Sequence, residues 1–166
     1  MKKIIIILSA LSLIYLTNNK EDIKIPDESI RFRIIANSNS IQDQALKTNI
    51  KKELLENVIP SINEAKTISE SRNKIKESIP LIEEKLKKYN VSYNINYGNN
   101  FFPDKTYKGI NYPKGNYESL VITIGQGLGD NYWCVLYPPL CLVEKQENQN
   151  EVEYKTLIKE ILQKHL

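Results

Sequence analysis

The sequence predicts a single α+β domain, a mainly antiparallel sheet with helices packed on one face. Three observations predict it. Apolar side chains recur every four residues at Leu46, Ile50, Leu54 and Val58, one stripe of a helix. The period then drops to two, with Val91, Tyr93, Ile95 and Tyr97 alternating with Ser92, Asn94 and Asn96. Apolar, β-branched runs at 30–36, 120–124 and 132–137 are bounded by Asn, Gly and Pro, as strands are.

At the start, Lys2 and Lys3 precede an apolar run over 4–16 broken only by Ser9 and Ser12. A basic head and a run of this length predict a signal peptide or N-terminal membrane anchor over 1–16. The run is short of the ~20 apolar residues of a spanning helix. Ala10 and Ser12 have cleavage-site spacing but lie inside the apolar core, so removal and retention both stay open. No cysteine follows the run, which excludes a lipoprotein. Residues 17–29 read as a polar linker and 30–166 as the domain.

The stretch 30–36 alternates at first and then becomes continuously apolar, a strand that turns central. Asn37-Ser38-Asn39-Ser40 closes it, and Ser40 with Asp43 makes a capping box for the first helix. Ile41, Ala45 and Leu55 widen that helix's apolar stripe, and Pro60 ends it, with Ser61 and Glu64 as the next cap. Ile68, Ile75, Ile79, Ile82, Leu86 and Tyr89 mark a second helix, which Pro80 kinks or restarts with Ser78 as cap. After the strand at 91–97, Asn99-Asn100 and Pro103-Asp104 read as turns, 106–112 as an extended connection, and Pro113-Lys114-Gly115-Asn116 as a turn. Residues 120–124 are a buried strand, 125–130 a glycine-rich hairpin, and 132–137 a strand ended by Pro138 and Pro139. Leu140 to Val143 would return beside it, and Leu157, Ile158, Ile161 and Leu162 suggest a closing helix.

If the chain folds back at the proline pair, Cys134 faces Cys141 across the strands, within disulfide reach. Export would permit that bond. Two small buried hydrophobes is the alternative, and both stay open.

Composition narrows the function classes. The net charge is +3, and +1 without Lys2 and Lys3, which gives no electrostatic case for nucleic acid. One histidine, His165, leaves no plausible Ser-His-Asp or Cys-His pair, and no set for zinc with two cysteines. Asp43 and Glu118 show no spacing of an acid/base pair. Gly125-Gln126-Gly127-Leu128-Gly129 leads into a strand, not the helix a dinucleotide site needs. No cofactor, metal or small-molecule substrate is expected. The loops at 37–40, 112–117, 125–130 and 138–139, loaded with Asn, Tyr, Gly and Pro, are either tight turns or recognition surface.

Two long motifs carry a family resemblance. Ile30-Arg31-Phe32-Arg33-Ile34-Ile35-Ala36-Asn37-Ser38-Asn39-Ser40, with Asp43-Gln44-Ala45-Leu46-Lys47, resembles the N-terminal signature of the stage II sporulation protein R family. Tyr112-Pro113-Lys114-Gly115-Asn116-Tyr117-Glu118-Ser119-Leu120, then Gly125-x-Gly127 and Trp133-Cys134-Val135-Leu136-Tyr137-Pro138-Pro139-Leu140-Cys141, is similar to its C-terminal one. Asn39 departs from that pattern, in which aspartate is common. The resemblance implies a non-enzymatic signal made in the forespore and secreted into the intermembrane space of the sporulation septum. Its partner there would be a membrane-embedded aspartic protease of the mother cell, which processes the sigma-E precursor. The expected contact surface is Asn37, Ser38, Tyr112, Tyr117, Trp133, Pro138 and Pro139. An exported hydrolase acting on the envelope or on the protease precursor is the alternative, and a structural septum protein a third reading.

Overall fold

The computed structural model describes residues 23–107, 110–141 and 151–165. The leader, and the return strand beyond Cys141, lie outside the described residues. The chain runs β1 (Ile23–Lys24), β2 (Ile30–Ile35), α1 (Ile41–Asn57), α2 (Ile59–Asn63), α3 (Ile68–Lys87), β3 (Tyr93–Phe102), β4 (Lys105–Tyr107), β5 (Ile110–Tyr112), β6 (Gly115–Ile124), β7 (Asn131–Tyr137) and α4 (Glu151–His165). This is the expected α+β class.

The central sheet has the order β3-β6-β2-β7, with antiparallel β3–β6 and β2–β7 pairs and a parallel β2–β6 pair. A small sheet of order β1-β5-β4 lies beside it. Side chains alternate between the faces of a strand, so Ile30, Phe32 and Ile34 of β2 join Leu120, Ile122 and Ile124 of β6 and Cys134 and Leu136 of β7 under the helices. Ile50, Leu54, Leu55, Ile62, Ile75, Ile82 and Leu86 close that core from α1–α3. On the opposite face, Val135 packs with Ile23, Ile25, Ile110, Tyr112 and with Tyr154 and Ile158 of α4. The helices on one face are thus α1–α3, while α4 joins the small sheet on the other.

Several local expectations change. The chain is part of the fold from Ile23, because Ile23, Ile25 and Ser29 are buried, so 23–29 is no linker. Ile41 and Ala45 do not widen a core stripe: both are exposed, Leu46 packs half-buried against the core, and full burial starts at Ile50. Neither Ser61 nor Ser78 is a cap. Val58 separates α1 from α2, Ser61 Oγ donates to the Val58 carbonyl, and Ser78 Oγ donates to the Lys74 carbonyl. The second helix starts instead at Thr67, whose hydroxyl accepts from Glu70 N–H while the Glu70 carboxylate accepts from Lys66 N–H. Pro80 sits inside α3 without ending it. It is on the exposed face, where water can satisfy the carbonyl it leaves free, while Ile75, Ile82 and Leu86 anchor both sides. Asn99 and Asn100 are not a turn but part of β3, which stays in register with β6 from Tyr93↔Ile124 to Phe102↔Gly115.

Residues 125–130 are not a hairpin, because β6 and β7 do not pair. β2 lies between them, so the glycine segment must cross over its C-terminal end. At the proline pair, Leu140 and Cys141 form a turn rather than the start of a strand; both backbone N–H groups donate to the Val135 carbonyl. The Tyr137–Pro138 peptide is cis, and a disulfide joins Cys134 to Cys141 with Cα atoms 5.0 Å apart.

Candidate functional site

Because β2 is central, the loop that leaves it (37–40) and the loop that crosses it (125–130) occupy the same end of the sheet. They are bound together by backbone and side chain. Leu128 N–H donates to the Asn37 carbonyl and Gly129 N–H to the Ala36 carbonyl. Gln126 N–H donates to Asn37 Oδ1 at 2.9 Å, and Asp130 N–H to Asn39 Oδ1 at 2.7 Å. Lys47 Nζ, from α1, donates to the Asp130 carbonyl at 2.9 Å.

Glycine is what allows this approach. Gly125 and Gly127 have φ of +56° and +67°, a region costly for other residues. A Cβ on Gly125 would run into the Asn37 amide, and one on Gly129 into the Ser38 carbonyl.

Asp43 organises the other side. Its carboxylate accepts from Ser38 Oγ at 2.6 Å and Asn37 Nδ2 at 2.9 Å, while its N–H donates to Ser40 Oγ. The Ser38 and Asn37 hydrogen bonds hold its carboxyl below the usual aspartate range, against a smaller opposing effect of burial. Gln44 Nε2 donates to the Ser38 carbonyl and to Asn39 Oδ1. Asn39 thus acts through its carbonyl oxygen alone in these bonds, a role an aspartate could fill.

This polar lock displays two large apolar side chains. Ile41 is 85% exposed and Leu128 74% exposed, the highest among the described large hydrophobics. One opens α1 and the other crowns the crossing loop. Sequence periodicity missed both. The only signal for Leu128 was a leucine between two glycines.

The other expected contact residues lie elsewhere. Tyr112 and Tyr117 are buried on the sheet face opposite α1–α3, where Arg31 stacks on the Tyr117 ring 3.3 Å from its centroid. Phe102 and Tyr112 also flank the Arg31 guanidinium, and Trp133, half-buried, meets Phe102 edge to face at 5.2 Å. Arg31 is 1% exposed, with its guanidinium enclosed by aromatic rings. Burial lowers its pKa, opposed by the Tyr117 and Tyr112 hydroxyls and Asp27. Pro138 is buried and Pro139 half-buried at the disulfide turn. The structure therefore brings Asn37 and Ser38 to one site with residues 125–130, and packs Tyr112, Tyr117 and Trp133 into an aromatic layer apart from it.

Glu118 is bound on the helix side. Arg72 grips both its oxygens at 2.8–3.0 Å, and Tyr97 Oη donates to it at 2.6 Å. The Arg72 contact holds Glu118 ionised below its usual range, while burial and this carboxylate push Tyr97 up. Contacts from Arg72 and Tyr97 engage both oxygens of this carboxylate, a geometry that an ion pair across the sheet–helix interface accounts for. Among the described residues no group of three or more His, Cys, Asp or Glu side chains could hold a metal.

A family model described as Stage II sporulation protein R (spore_II_R) matches residues 26–147. The chain is 38% identical over 133 residues to the Stage II sporulation protein R of Bacillus subtilis (strain 168), covering 76% of this chain and 59% of that protein. No solved structure matches. Both interlocked loops and the disulfide turn fall within the region matched by the family model, and the chain belongs to the stage II sporulation protein R family.

Proposed function

We propose that this chain is an exported sporulation signal that activates a membrane-embedded aspartic protease of the mother cell, which then processes the sigma-E precursor. Family membership supplies the context, and the basic-apolar leader supports export. The observation that carries a binding role is the lock between 37–40 and 125–130, which presents Ile41 and Leu128 to solvent on rigid backbone. Exposed apolar anchors on a pre-ordered scaffold lose little entropy on binding and are the kind of residue that dominates interface energy. An activator of this sort needs no chemistry of its own. It shifts its partner's equilibrium by its differential affinity for the active arrangement, ~1.4 kcal/mol per tenfold.

The test is reconstitution in a non-sporulating host. The chain, the candidate protease and a tagged sigma precursor are co-expressed, and the shorter sigma band is followed. Processing should require the chain and its leader. Ile41→Asp and Leu128→Asp should each reduce processing by roughly tenfold or more, with melting temperatures unchanged. Full processing by both variants would remove the Ile41–Leu128 surface from the interface. No processing by exported, folded wild type would reject the activator reading.

A further inference from the structure

The two edges of the central sheet are treated differently. At β7 the disulfide turn folds back on the strand and occupies the Val135 carbonyl. At β3 the outer edge has no strand partner among the described residues. Proteins usually blunt such an edge with lysine, proline, a bulge or a covering element. Here residues 91–102 contain no charge and no proline, and the ladder to β6 has no register shift.

The first half of that edge reads Tyr93-Asn94-Ile95-Asn96-Tyr97, the same in both directions. Tyr93, Ile95 and Tyr97 point to the helix side and pack half-buried against its core, while Asn94 and Asn96 are exposed on the other face. We propose that this strand pairs with β3 of a second copy of the chain, antiparallel, about a two-fold axis at Ile95. The palindrome selects that occupant. Ile95 then faces Ile95, Tyr93 faces Tyr97, and Asn94 faces Asn96, so like chemistry meets on each face and no charges are opposed. A two-fold interface must be self-complementary in this way, and cross-strand aromatic and polar pairs are its stabilising units. The product is one sheet continuous across two copies, with both interlocked-loop sites retained.

Two measurements test the pairing on the exported full-length chain. Sedimentation equilibrium should give a dimer for the wild type and a monomer for Asn94→Glu/Asn96→Glu, which sets carboxylates opposite each other at exposed positions. At concentrations low enough to dissociate the wild-type dimer, the double variant should melt like the wild type. Opposed residues lie roughly 4.5–5.5 Å apart at Cα, within disulfide reach, so Ile95→Cys should form a reductant-sensitive dimer in oxidising medium, whereas Asn99→Cys should not. A monomeric wild type overturns the proposal, as does a dimer that persists in the double variant or an Ile95→Cys chain that stays unlinked. If the wild type is monomeric and the double variant nevertheless loses processing, the edge belongs to a partner's strand, and self-pairing is again rejected.

Discussion

Asn37 and Gln126 stand 89 positions apart and meet through one hydrogen bond, Gln126 N–H to Asn37 Oδ1, at 2.9 Å. The other end of the Asn37 amide donates to Asp43. One side chain thus ties the crossing loop to the start of α1. The Gln126 contact follows from β2 lying between β6 and β7, whereas the Asp43 bond is local to the start of α1.

Asn37→Ala removes an acceptor from the exposed Gln126 N–H and a donor from the partly buried Asp43 carboxylate, which together costs about 1–2 kcal/mol. Asn37→Asp should cost at least as much, because it sets a second carboxylate against Asp43 and loses the donor. Chemical denaturation of both variants checks the order. Equal stability of Asn37→Asp and wild type would mean that the Asp43 bond contributes nothing.

Cys134→Ser/Cys141→Ser opens a loop whose ends are separated by 7 positions. Loop-closure entropy for so short a loop corresponds to about 2.5 kcal/mol. The wild type should lose a similar amount when reductant is added, and the double variant should be insensitive to reductant. Loss of stability on reduction in the double variant would contradict this assignment.

Arg31→Met exchanges a buried guanidinium, stacked on Tyr117, for an apolar side chain of similar length. Desolvation of the cation opposes its stacking on Tyr117, and replacing a buried charge by a well-packed apolar group is often neutral or stabilising. Calorimetry should show a melting temperature no lower than that of the wild type. A loss of several kcal/mol would mean that cation–π stacking outweighs desolvation here.

Folding depresses the carboxyls of Glu118 and Asp43, so both contribute stability above their unfolded values, near 4, and lose it as pH falls through their lower folded values. Stability should therefore fall below about pH 4, more shallowly in Glu118→Gln. Urea midpoints measured across that range decide it. An unchanged slope in the variant would show that the Arg72 contact is not linked to folding.

Much of the local structure was legible in the chain. Ser40 caps α1 at the Asp43 N–H, although the reciprocal half of the box is absent because Ser40 N–H donates to Ser38 Oγ; the alternation from Tyr93 to Tyr97 makes a strand, and the branched run at 120–124 is a buried one. These follow from periods and caps, which act over one turn or one pleat. The restart expected at Pro80, with Ser78 as cap, does not occur, because a proline's cost depends on which face it occupies and that is set by packing.

What only the tertiary structure decided is the position of β2. Its apolar character fits a central strand, but nothing local says that it enters between β6 and β7, parallel to one and antiparallel to the other. That placement turns the glycine segment from a hairpin into a crossing loop, brings Asn37 and Asn39 under it, and leaves Ile41 and Leu128 outside. The sequence by itself determined the class, the helix and strand content and the cap chemistry, because those energies are local. Strand order and exposure depend on which distant backbone groups pair, and that was settled by burying one continuous sheet face beneath three helices.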